Sequence, residues 1–257
     1  MNPSEMTIKE VKDFLLSCET LPEDMQAQFA SDTRSGVQAA YRQWLRRAEK
    51  ARQLRVKWME MSAREEELWK KGYSYIAGVD EVGRGPLAGP VVTAAVILHP
   101  DFYLPGLNDS KTLSSAQREA MYERIMEEAV AVSVSLSDAA LIDEINIFQA
   151  TLRAMRTAVH TLSVTPHITL NDAVTIPGLT MEQRPIIGGD GKSISIAAAS
   201  VVAKVERDRM MKEYDVQYPG YGFASNMGYG TAEHLAALRA KGPCPIHRRS
   251  FGGVLAP

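Results

Sequence analysis

Four acidic positions, Asp80, Glu81, Asp172 and Asp190, lie where a strand-like pattern gives way to polar residues. Asp80 and Glu81 follow the apolar run Tyr75–Val79. Asp172 follows His167–Asn171, and Asp190 follows Pro185–Ile187 and the flexible pair Gly188-Gly189. A single acid of this kind is most often an ordinary turn residue. Three strand ends carrying acids are another matter, because sites in α/β sheets lie outside the carboxyl ends of strands, where side chains converge. Carboxylates gathered in one cleft repel one another and hold their protons unless a cation neutralises them. Five histidines and two cysteines argue against zinc, which favours nitrogen and sulfur ligands. Mg²⁺ suits an all-carboxylate set, and two such ions can activate a water and stabilise the leaving oxygen of a phosphodiester. Adjacent strand residues point to opposite faces. Asp80 and Glu81 are therefore expected to share a site only if the strand ends or bulges there, a turn that Gly83 and Gly85 permit.

The elements that must position these acids alternate from Tyr73 onward. Strands are expected at Tyr75–Val79, Val91–Leu98, Val130–Leu136, His167–Asn171 and Arg184–Ile187. Helical spacing covers Ser114–Glu128, Ser137–Leu162 with a break near Asn146, Ser193–Tyr218 and Thr231–Lys241. Such alternation implies an α/β sheet with helices on its faces. Residues 1–72 read as helices only. Thr7-Ile8-Lys9-Glu10 is a capping-box pattern ahead of Val11, Phe14 and Leu15. Ser35 can cap a helix whose stripe is Val37, Tyr41, Trp44, Leu45, Ala48 and Ala51. Ser62-Ala63-Arg64-Glu65 reads as a second capping box, with Gly72 ending that helix. The chain is thus expected to divide into a small all-helical extension, 1–72, and a main domain, 73–257.

Composition sets the outer limits. The 257 residues are 45% apolar and 23% charged with net charge −2, ordinary globular usage that excludes a disordered or fibrous chain. The longest largely apolar stretch, Ala88–Leu98, is shorter than the ~20 residues a membrane helix needs. The polar, acid-bearing start does not read as a signal peptide. Cys18 and Cys244 make no disulfide framework, so a reducing cytoplasmic setting is expected. No spare apolar helix stripe appears in residues 73–257, so a monomer is expected. The charge is unevenly spread: residues 1–71 are net +1 and the remainder net −3. From Arg42 to Lys57 seven cations face one acid, Glu49, a face that could grip a duplex backbone.

The most informative stretch is Gly78-Val79-Asp80-Glu81-Val82-Gly83-Arg84-Gly85-Pro86-Leu87-Ala88-Gly89-Pro90. It is followed in order by Asn108-Asp109-Ser110-Lys111, Gly189-Asp190, Ile196-Ala197-Ala198-Ala199-Ser200-Val201-Val202-Ala203-Lys204-Val205, Gly228-Tyr229-Gly230-Thr231 and Pro245-Ile246-His247-Arg248-Arg249-Ser250-Phe251. Each piece alone is weak, but the ordered set resembles bacterial ribonuclease HII over essentially all of residues 73–251. The helical extension is similar to an N-terminal addition in some bacterial members. The resemblance implies an RNase H-like fold, a mixed sheet with helices on both faces. It implies hydrolysis of RNA strands in RNA/DNA hybrids and incision 5′ of single ribonucleotides embedded in duplex DNA. The products would carry 3′-hydroxyl and 5′-phosphate ends, formed with Mg²⁺ or Mn²⁺, two ions being expected.

By the same resemblance, Asp80, Glu81, Asp172 and Asp190 are catalytic metal ligands. Gly83-Arg84-Gly85 reads the nucleotide beside the cut, and Tyr229 packs on its sugar. Glycines let backbone approach a ribose, and backbone groups can read a 2′-hydroxyl whatever the base. Ser110, Lys111, Lys192 and Ser193 are expected at phosphates, and Lys204, Arg248 and Arg249 are weaker candidates for the same work. His234 and His247 match family positions, and a core or cap role suits them better. Two departures stand out: Gly188 and Met227 replace the family's usual lysines. The first removes a cation beside Asp190 and leaves room for a weakened, hybrid-binding protein. A ribonuclease HIII-like enzyme is the other alternative.

Overall fold

The computed structural model describes residues 3–255; residues 1–2 of the expected extension and 256–257 of the expected main domain lie outside the described residues. The chain divides into two compact units after Met59. The first holds α1 (Ile8–Ser17), α2 (Glu23–Ser31) and the opening turns of α3 (Ser35–Lys70). The capping box at Thr7 and Glu10 forms. Val11, Leu15, Phe29, Val37, Tyr41 and Trp44 make the core, in which Phe29, Tyr41 and Trp44 stack. Of the expected α3 stripe, Leu45 and Ala51 stay exposed.

The second unit is built on one five-stranded sheet. Its strands are β1 (Ile76–Val82), β2 (Val91–Ile97), β3 (Ala131–Ser137), β4 (Ile168–Asp172) and β5 (Glu182–Ile186), in the spatial order β3-β2-β1-β4-β5. β1 pairs antiparallel with β2, and β2 with β3, whereas β1–β4 and β4–β5 are parallel. The sheet is therefore mixed. Its helices are α4 (Ser115–Glu128), α5 (Ala139–Ile145), α6 (Ile147–His160), α7 (Ile194–Gln217), α8 (Phe223–Asn226) and α9 (Ala232–Lys241). Asn146 breaks α5 from α6: it adopts φ 68° and its side chain accepts from the amides of Phe148 and Gln149.

Strand alternation divides the core. Ala77 and Val79 face α6 with Met155, Ala158 and Val159. Ile76 and its neighbours Ile168 and Leu170 pack with Ile196 of α7. The sheet is thus covered on both faces. Gly78 explains why α7 begins with small residues. A Cβ there would stand 2.0 Å from the Ser195 carbonyl carbon, so helix backbone lies directly on β1. No described helix is long and apolar enough to cross a membrane.

Two expectations change. Residues 35–70 form one helix, not two, because nothing between Met59 and Ser62 breaks it. Ser62 sits mid-helix and its hydroxyl donates to Glu66 Oε1. Its last turns belong to the sheet-bearing unit: Leu68 is fully buried with Ile76, Ile168, Leu170 and Ile196. Second, β1 does not stop at Val79. Asp80 and Glu81 continue the β2 ladder, opposite Ala94 and Thr93.

Leu68→Ala should therefore destabilise the sheet-bearing unit by about 2–4 kcal/mol, the usual cost of emptying a core site. Urea denaturation followed by a probe in that unit measures this, and an unchanged midpoint would detach these turns from its core.

Candidate active site

The parallel ladder between β1 and β4 ends at Val79↔Asn171. One residue further, the register sets Asp80 beside Asp172. Asp80 is thus still inside the antiparallel ladder on one side while outside the carboxyl end of the parallel pair on the other, and no bulge is needed. Asp80 is buried, accepts from the Glu81 amide at 2.8 Å and also interacts with Ser200. Burial, then the charges of Glu81 and Asp172, push its carboxyl well above the ordinary range. Glu81 is pushed up by burial, opposed by Arg84, whose guanidinium lies 3.3 Å away. Asp172 accepts from the Gly189 amide at 2.7 Å. Asp190 follows on a short 3-10 turn, raised by burial and by Asp109 and Asp172, with Lys111 Nζ at 3.8 Å.

All four acids therefore feel one another or a shared neighbour. Among the described residues, no three His, Cys, Asp or Glu side chains are already drawn into a closed ligand set. The donor chemistry nevertheless fits a hard divalent cation: every candidate ligand is a carboxylate, and three of them are held toward the neutral form for want of positive charge.

Gly83-Arg84-Gly85 leads out of β1. Gly83 takes φ 90°, and a Cβ there would stand 2.2 Å from Arg207 Nε. Arg84 and Gly85 are exposed. A Cβ on Gly85 would meet Tyr229 Cε1 at 3.7 Å, so the half-exposed Tyr229 ring lies against this loop. Backbone ties run the same way, with the Leu87 amide donating to Gly228 O at 2.8 Å.

Behind Tyr229 runs a buried chain of ring nitrogens. The Cys244 amide donates to His247 Nδ1 at 3.0 Å, which places that ring's proton on Nε2. His247 Nε2 then donates to His234 Nε2 at 3.0 Å, leaving His234 Nδ1–H for the Tyr229 carbonyl at 2.8 Å. One neutral tautomer of each ring satisfies the whole chain.

The basic and hydroxyl candidates divide. Lys111 and Lys192 are exposed, and Lys192 Nζ donates to Ile187 O at 2.6 Å. A Cβ on Gly188 would lie 3.9 Å from that ammonium, so Lys192 partly fills the place where the expected lysine is missing. Ser110 and Ser193, expected at phosphates, are buried and engaged inward. Ser110 Oγ meets Ser200 Oγ at 2.9 Å, one step behind Asp80. Ser193 caps α7 and donates to Glu65. Lys204 pairs with Asp208. Arg248 is also buried and holds loop carbonyls, while Arg249 is exposed. Met227 takes a left-handed backbone, φ 51°, and packs beside Met211 and Tyr221.

Sequence reasoning missed Glu65, Asp109, Ser200 and Arg207. Glu65 is fully buried, accepts from Ser193 Oγ and the Ser195 amide, and burial raises its carboxyl. Arg64 beside it donates to Lys192 O at 2.8 Å. Both brace the segment that carries Asp190. Arg207 stands among Lys204, Glu206, Asp208 and Arg209, so its sequence neighbours carry no signal that it is the one fully buried.

The Ribonuclease HII family model matches residues 77–254, and the Ribonuclease HII N-terminal domain matches residues 7–69. Ribonuclease HII of Enterococcus faecalis is 52% identical over 251 residues, 96% of this chain and 97% of its own length. Ribonuclease HII of Bacillus mycoides is 50% identical over 250 residues, 97% of each chain. The crystal structure of the ribonuclease H2 from Pyrococcus horikoshii OT3 is similar with a TM-score of 0.61 and 25% identity, covering 70% of this chain and 95% of that one.

The histidine chain has a pH signature. Burial, then His234 beside it, lowers His247 from 6.5 to about 4. Below pH 6.5 the unfolded chain takes up a proton that the folded chain refuses. Stability from this group is therefore complete above about 6.5 and is lost as pH falls toward 4, on the order of 3 kcal/mol. His247→Gln should flatten the dependence of unfolding free energy on pH across that window. Equal slopes for parent and variant would show that His247 is not kept neutral by the fold.

Proposed function

The chain belongs to the ribonuclease HII family and is a nuclease with an RNase H-like sheet; from that premise we propose that it incises duplexes 5′ of a ribonucleotide. Its substrates are RNA/DNA hybrids and duplex DNA carrying a single ribonucleotide, and its products end in a 3′-hydroxyl and a 5′-phosphate. The observation that carries the reading is one juxtaposition. Desolvated acids stand beside a glycine loop whose Gly85 abuts an exposed tyrosine ring.

Asp80, Glu81, Asp172 and Asp190 would hold Mg²⁺ or Mn²⁺. Two such ions, when bound, supply the positive charge that activates water and stabilises a leaving 3′-oxygen. The chain's own residues do the rest. Asp80 is fixed by the Glu81 amide and Ser200, and Asp172 by the Gly189 amide. Arg84 and Lys111, now leaning on Glu81 and Asp190, are placed to turn toward phosphates once cations satisfy those acids. Tyr229 offers its ring to the sugar and Gly83-Arg84-Gly85 its backbone to the 2′-hydroxyl. Lys192 supplies the cation that Gly188 lacks. The presence of all four acids counts against a binding-only protein, and 50–52% identity to ribonuclease HII relatives counts against a ribonuclease HIII-like enzyme. The reading includes a monomer at work in the cytoplasm.

The direct test is incision of a duplex with one embedded ribonucleotide. Asp80→Asn should lower the rate by roughly 10²–10³-fold, the scale of losing one preorganised electrostatic group, and wild-type turnover by that variant would remove the site.

The helical extension, residues 1–72, is proposed to grip duplex backbone through α3. Arg42, Arg46, Lys50 and Arg55 are exposed there, whereas Arg47 is engaged with Leu15 O and Arg52 with Glu49. Removing residues 1–72 would take Glu65 and Leu68 with it, so point changes are the cleaner test. Replacing Arg42, Arg46 and Lys50 together by Ala should weaken hybrid binding and reduce the slope of log K against log salt by up to about 2–3. An unchanged slope would assign that face another task.

A further inference from the structure

Arg207 and Arg248 are fully buried. Among the described residues, no carboxylate lies within ion-pair distance of either. Burying such charges is expensive, and burial lowers Arg207 to about 10 and Arg248 to about 9. Each donates three hydrogen bonds to main-chain carbonyls. Arg248 donates to Gly83 O, Arg84 O and Gly89 O at 2.5, 2.9 and 3.0 Å. Arg207 donates to Ala88 O, Pro90 O and Met227 O at 3.0–3.1 Å. The two forks thus grip both ends of the glycine loop and the segment leading into Tyr229.

Peptide planarity gives this grip a consequence. In a trans peptide the C=O and the following N–H point in opposite directions, and no peptide bond here is cis. Drawing the Gly83 and Arg84 carbonyls inward onto Arg248 turns the Arg84 and Gly85 amides away from it, in a loop whose Gly85 lies against the Tyr229 ring. A strand could not present these two carbonyls to one side chain, because consecutive carbonyls of a strand point to opposite sides.

We infer that Arg248, backed by Arg207, is a positioning residue for ribose recognition: it fixes the Arg84 and Gly85 amides toward the sugar-phosphate of the ribonucleotide. This rests on the reading of the loop proposed above. Arg207 packed flush on Gly83 Cα supplies the wall that keeps the loop from relaxing inward. Lysine cannot replace either residue, since one ammonium does not span three carbonyls.

The test is binding without incision, in EDTA, of two duplexes identical except for one ribonucleotide. The parent should favour the ribonucleotide-bearing duplex. Arg248→Lys should lose about tenfold of that preference, the worth of one to two hydrogen bonds, while its affinity for the all-DNA duplex stays near the parent's. A folded variant that keeps the parent's preference, or that weakens both duplexes alike, overturns the positioning role. Absence of any preference in the parent overturns the loop reading and this inference with it, and is seen without a variant. Should Arg248→Lys not fold, parent protein labelled with ¹⁵N-glycine decides. The Gly85 amide resonance should shift with the ribonucleotide-bearing duplex and not with the all-DNA one, and equal response to both overturns the inference.

Discussion

The register between β1 and β4 is the constraint on which the rest of this molecule depends. Pairing Val79 with Asn171 leaves Asp80 and Asp172 side by side at the point where two parallel strands stop sharing hydrogen bonds. Two carboxylates in that position, one of them buried, repel and are poorly solvated. A fold that only had to be stable would put apolar residues there. Keeping the register instead requires the neighbourhood to be held by forces that do not involve those acids. That explains the density of packing immediately behind them. Gly78 brings the α7 backbone onto β1, and Ile76, Ile168, Leu170, Leu68 and Ile196 fill the layer beneath.

A second requirement follows from the first. Elements that approach such a cluster cannot be pinned by further carboxylate pairs without adding to the repulsion. The molecule uses uncharged or cationic anchors. The glycine loop is held through guanidinium-to-carbonyl bonds, and Tyr229 through a neutral imidazole pair. Glu65, the one further buried acid among the described residues, is raised toward its neutral form and is bonded by a hydroxyl and an amide. Cations that do reach the acids, Arg84 and Lys111, come from the exposed side and can leave.

Much of this was legible in the sequence because it is written in local patterns. The strand and helix runs, the break at Asn146 and the cap at Thr7 rest on neighbours within a few residues, and the observed elements follow them closely. The four acids were legible because each sits at the end of such a run. The helical extension was less so: Ser62 and Glu65 carry a capping-box spacing, yet neither Gly nor Pro interrupts α3, and Glu65 is bonded to Ser193 instead. Spacing alone does not distinguish a cap from a tertiary bond at the same residues.

What stayed hidden has a common physical character. Ser110, Ser193 and Arg248 are polar residues in a polar motif, and a sequence says nothing about which way such a side chain turns. Ser110 and Ser193 turn inward because buried donors and acceptors must be satisfied, by Ser200 and Glu65 respectively. Arg248 turns inward because the loop's carbonyls have no ladder to join. The same residues that a sequence nominates for touching phosphate are therefore spent one layer deeper. In the function proposed above they would shape the surface that meets phosphate, and the contacts themselves would fall to backbone, Tyr229 and the exposed cations.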